Sequence, residues 1–175
     1  MIGEIIGVLG LIVSLIPLLL LPIKVKTGTL SYFLLYIFLV LYYLSFILYY
    51  FTFNNIILML LYIFEMAFFL NMYRSYLSKE LFLVAFPIIY YVNDLALIFS
   101  FYFATFNLAE LLRNRHHKKK VSMMAIISLL LFDVGIIVQL LRIFSSQDYF
   151  SIIANSIFLA GTVLFIVPAL RIVRK

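Results

Sequence analysis

Apolar residues run through this chain almost without a break, and short polar interruptions divide them into stretches near the length that crosses a bilayer. A hydrocarbon core about 30 Å thick needs about 20 apolar residues in a helix. Six stretches meet that requirement, at about 5–23, 29–53, 56–76, 81–111, 121–144 and 150–170. The second and third form one run from 29 to 73 whose only charge is Glu65, too long for one crossing, so Asn54-Asn55 is the expected turn. The expected fold class is all-α: a polytopic integral membrane protein, with six transmembrane helices in a single bundle forming one domain over 1–175. Residues 5–23 have no basic leader and no A-x-A-like cleavage site, and read as a retained helix.

With 67% hydrophobic and 11% charged residues, a soluble fold would expose large apolar patches, so the expected solvent is lipid bilayer. The absence of cysteine excludes disulfides, thiol nucleophiles and Cys-ligated metal centres. Isoleucine, leucine, phenylalanine, tyrosine and lysine are abundant and alanine scarce, which hints at an AT-rich prokaryotic genome. The net charge of +6 sits between and after the apolar segments, as topogenic charges do, so nucleic acid is not an expected partner. Arg113, Arg115, Lys118, Lys119, Lys120, Arg171, Arg174 and Lys175 fall on one side of a six-helix topology. Lys24, Lys26, Arg74, Lys79 and Arg142 fall on the other. The imbalance places both termini in the cytoplasm of a cell-membrane protein.

Gly3, Gly7, Gly10 and Ser14 share one face of the first helix, where small residues admit a close neighbour. Tyr36, Tyr43 and Tyr50 repeat every seven residues in the second. The fourth carries Asn93, Ala96, Ser100, Ala104 and Asn107 on one stripe, and the sixth carries Ser151, Asn155 and Thr162. Polar groups facing lipid are costly, so these faces are expected inside.

Glu65, Asp94 and Asp133 lie deep in their expected helices, at roughly 15, 20 and 18 Å from the helix starts. A central Asp costs roughly 2.5–3.5 kcal/mol on insertion, which flanking apolar residues offset. No cationic side chain stands at equal depth, because Arg74 and Arg142 lie near helix ends. Intramembrane ionisable residues mark proton or ion sites by default. The expectation is a centre led by Asp94, with Glu65 and Asp133 sharing its proton or cation and Asn93, Ser100 and Tyr90 lining it. Protonated carboxyls that merely join helices are the structural alternative.

Asn93-Asp94 resembles the start of the N-D-x-x-D metal–diphosphate motif of intramembrane aromatic prenyltransferases, but Leu97 stands where the second Asp is needed. The FDVG at 132–135 faintly resembles an intramembrane aspartyl-protease motif without its glycine pattern. His116 and His117 lie together in a basic loop, which excludes paired haem ligation within the membrane. Length and helix count are similar to the substrate-binding subunits of energy-coupling-factor vitamin transporters, whose first helix is rich in alanine; here it has none. No catalytic set, metal site or cofactor motif emerges. The functional expectation is a small transporter-like protein handling protons or cations. The alternatives are an accessory subunit docked on a membrane-protein partner, or a membrane sensor module.

Overall fold

The computed structural model describes residues 2–20, 30–77, 92–116, 122–145 and 149–173. They form six helices: α1 (Ile2–Leu20), α2 (Leu30–Thr52), α3 (Asn55–Leu77), α4 (Val92–His116), α5 (Met123–Ser145) and α6 (Tyr149–Val173). Each is long and apolar enough to cross a membrane, and no strand occurs among the described residues. The fold is that of an all-helical, multi-pass membrane protein.

Local chemistry sets the helix ends. The α2–α3 turn is Phe53–Asn54, one residue earlier than expected, and Asn55 already belongs to α3. Asn54 is the cap: its Oδ1 accepts from the Ile56 backbone N–H at 2.8 Å, satisfying a donor the new helix cannot. Phe53, at φ 50°, ends α2 in the left-handed region while its N–H still reaches the Tyr49 carbonyl. α4 runs to His116, beyond the expected 111, because Arg113, Arg115 and His116 in its last turn complement the negative end of the helix dipole. Its expected first part, 81–91, lies outside the described residues.

Each helix packs on the next in chain order, and α1 packs on α6, so the six close into a ring. Aromatic rings fill the middle. Phe68 and Phe69 of α3 meet Phe132 of α5 edge-on at 5.6 and 5.5 Å, and Phe158 of α6 lies 4.6 Å from Phe132. Phe165 of α6 packs against Phe68 and against Tyr36 of α2. Large aliphatic and aromatic side chains such as Leu19, Ile98, Tyr102 and Leu130 point outward, as hydrocarbon solvent allows.

Two seams bring backbones close. On α1, Gly3 faces the Tyr50 ring, Gly7 faces Ile47 and Phe46, and Gly10 faces the Tyr43 ring. Ser14 is buried, its hydroxyl donating to the Leu11 carbonyl at 3.0 Å. Between α5 and α6, a Cβ on Gly161 would stand 2.9 Å from the Phe132 ring, and the Ser128 hydroxyl donates to the Gly161 carbonyl at 2.7 Å. A Cβ on Gly135 would stand 3.2 Å from the Phe158 ring and 3.3 Å from the Ala154 carbonyl.

Candidate functional site

Glu65 occupies the eleventh position of α3 and is 0% exposed. At 1.5 Å per residue it lies about 15 Å from the helix start, in the middle of the span. The Gln139 amide of α5 reaches it, with one end 3.1 and 3.3 Å from the two carboxyl oxygens and the other 3.3 Å from the Tyr42 hydroxyl of α2. Tyr42 donates to Asn155 Oδ1 of α6 at 2.6 Å, and Asn155 Nδ2 donates to the Ser151 carbonyl at 2.7 Å. A buried polar chain therefore joins α3, α5, α2 and α6 through the ring.

A second link runs alongside. Thr162 donates its hydroxyl proton to the Phe158 carbonyl at 2.9 Å, so Tyr43 is the donor in the 2.8 Å contact with Thr162. Tyr42 stacks on Phe158 at 4.9 Å and meets Tyr43 edge-on at 5.1 Å, which fixes both phenols. Buried hydroxyls and amides find partners because an unmade hydrogen bond in a dry interior is costly.

The structure separates the three carboxylates named from sequence. Asp133 of α5 is 7% exposed and faces α4, where Thr105 donates to its Oδ1 at 3.4 Å. Asp94 lies in the first turn of the described α4 and is exposed. It stands 11 residues before Thr105, about 16 Å along the helix, and so does not meet Asp133 at one level. The reason is angular as well. Ala96, Ser100, Ala104 and Asn107 are buried on the inner stripe of α4. Asp94 lies about 120° around the helix from that stripe, at 100° per residue. Among the described residues Asp94 and Asp133 are not brought together, and Glu65 is the carboxyl that heads the polar chain.

Ser100 is fully buried, and its hydroxyl has no hydrogen-bond partner among the described residues. Asn107 donates to the Phe69 carbonyl at 3.0 Å and to the Phe103 carbonyl at 2.8 Å, tying α4 to α3. The Asn93 side chain and Tyr90 lie outside the described residues. Nearer the end of α4, Glu110 pairs with Arg113 at 3.3 Å. No group of three or more histidine or acidic side chains fit for a metal occurs among the described residues.

Sequence reasoning passed over Gln139 and Tyr42. Gln139 is an uncharged polar residue in the apolar run Gly135–Leu141, which is itself a signal, because an amide there needs a partner. Tyr42 was hidden by the seven-residue tyrosine repeat beside it.

Comparison with protein-family models, curated proteins and solved structures found no match to this chain.

Proposed function

We propose that this protein is a small transporter-like membrane protein in which Glu65 binds and releases a proton or cation within the bilayer. One observation carries the reading: a fully buried carboxyl at mid-span, hydrogen-bonded to Gln139 and through it to Tyr42 and Asn155. A carboxyl needed only for adhesion could be an amide, which inserts at lower cost. One that exchanges an ion must be ionisable, and neighbours that can change donor and acceptor roles suit that task. The charge imbalance of the loops supports a cell-membrane location with both termini cytoplasmic.

The test is flux through the purified full chain reconstituted in vesicles holding a trapped pH dye, under an imposed potassium diffusion potential. Wild type should acidify or alkalinise the lumen in the direction of the potential, and Glu65→Gln should abolish the movement while keeping the fold. Equal rates in wild type, Glu65→Gln and empty vesicles, with and without sodium or lithium, would defeat the reading.

A second reading, an accessory subunit, is favoured by Asp133. Among the described residues its one hydrogen bond is long and comes from Thr105, which is itself exposed on the outer side of α4. A partner helix with a donor or cationic side chain would complete it. Gentle solubilisation from the native membrane should then recover a stoichiometric partner, lost in Asp133→Leu; a lone monodisperse chain would argue against this reading.

A further inference from the structure

The polar chain contains fewer hydrogens than its contacts need unless Glu65 carries one. Gln139 has two amide orientations. In one, its Nε2 donates to the Tyr42 hydroxyl oxygen at 3.3 Å and its Oε1 faces the Glu65 carboxyl. Tyr42 then donates to Asn155, and Asn155 to the Ser151 carbonyl. Each residue-to-residue link then holds one hydrogen, provided Glu65 is protonated and donates to Gln139 through one of its two oxygens. In the other, Nε2 donates to Glu65 at 3.1 and 3.3 Å, as an ionised carboxylate requires, and Oε1 turns to Tyr42. The single Tyr42 proton must now serve both Gln139 Oε1 at 3.3 Å and Asn155 Oδ1 at 2.6 Å. Asn155 cannot resolve the conflict by turning over, because its Nδ2 is held by the Ser151 carbonyl at 2.7 Å. One acceptor pair is left facing itself.

Among the described residues no other group relieves this. The titratable side chains facing Glu65 are the phenols of Tyr42 and Tyr43 on α2, with Tyr62 beside Tyr42 from α3. Asn155 of α6 is neutral, and Asp133 of α5 is engaged with Thr105 of α4. A divalent ion would want about six or more oxygen ligands, and among the described residues no group of three or more acidic or histidine side chains forms here.

We propose that the ligand of this site is a single proton held between Glu65 and Gln139, and that releasing it turns the Gln139 amide and frees Tyr42 from Gln139 or from Asn155. This rests on the proposed role of Glu65 and names its ligand. On release the Glu65 O–H bond breaks, its electron pair stays on the carboxylate, and the proton passes to water. The mechanical result falls between α2 and α6. These helices flank α1 in the ring and meet through side chains, Tyr42–Asn155 and Tyr43–Thr162. Proton release therefore puts the Tyr42 link across that seam at stake.

The test is infrared difference spectroscopy of the full chain in lipid nanodiscs, with glutamine side chains isotopically labelled, over about pH 5 to 9, the range in which a buried carboxyl can titrate. Wild type should lose a protonated-carboxyl band on alkalinisation, and a labelled amide band should shift with the same midpoint. Both changes should vanish in Glu65→Gln, whose amide N–H replaces the carboxyl proton and locks the neutral pattern. Tyr42→Phe should keep the carboxyl change and lose the accompanying tyrosine C–O change. Carboxyl titration without the amide shift would overturn the turning of Gln139 while sparing the proposed function. A band that responds to sodium, potassium or lithium at fixed pH, and not to pH, would replace the proton by a monovalent cation. No response to either in folded wild type would overturn both.

Discussion

Gly10→Ala adds one methyl group at the point where α1 meets α2. An ideal Cβ there falls inside the contact distance of the Tyr43 ring, which is fully buried and cannot swing outward. Tyr43 is also held at its far end by Thr162 and at its edge by Tyr42. Either α1 moves away or the phenol leaves Thr162. Overpacking of this kind costs about 1–3 kcal/mol. A lost interhelical hydrogen bond in a membrane adds about 0.6 kcal/mol on average. Against this, alanine is about 1 kcal/mol better than glycine inside a helix. The net expectation is a loss of about 0.6–2.6 kcal/mol, read by reversible unfolding in mixed detergent micelles. In a Tyr43→Ala background the methyl has room, so the cost of Gly10→Ala should disappear. Gly10→Ala as stable as wild type, or an unchanged cost in the Tyr43→Ala background, would refute the reasoning.

Gly161→Ala should loosen the α5–α6 seam by about 1–3 kcal/mol, because its Cβ meets both the Phe132 ring and the Ser128 carbonyl; the same unfolding assay checks it. A double-mutant cycle on Tyr42→Phe and Asn155→Ala should return a coupling of about 0.6 kcal/mol and no more than about 1.7, whereas additive losses would deny the 2.6 Å contact. For orientation, a cysteine introduced at Lys119 into this cysteine-free chain should label only after the cell membrane is breached, and labelling of intact cells would reverse the topology.

The helices were legible because hydrocarbon imposes length and apolarity on every span, and those are properties of a single chain. The inner stripe of α4 was legible for the same reason: Ala96, Ser100, Ala104 and Asn107 are poorly suited to face lipid, and all four are buried. Depth was less secure. The depth of Asp94 rests on a helix start at 81, which lies outside the described residues. The partners of Glu65 were not legible, since Gln139 stands 74 positions away and periodicity does not tell which inward faces meet. Gly135 and Gly161 were missed for a related reason. Each is isolated in its own helix, and their meaning arises only where α5 lies against α6.

The turn at Phe53–Asn54 also bears on how the chain enters the membrane. Two residues hold α2 and α3 together, and the tip they form offers Thr52, Asn54 and Asn55 without a charge. In the proposed orientation this tip faces the cytoplasm, and with no charge of its own it supplies no anchor there. The direction of the hairpin is then inherited from the basic residues beyond its open ends, Lys24 and Lys26 before it and Arg74 and Lys79 at its close. The apex is a passenger, and whatever anchors those flanking charges during synthesis decides which way Glu65 is delivered to the membrane interior.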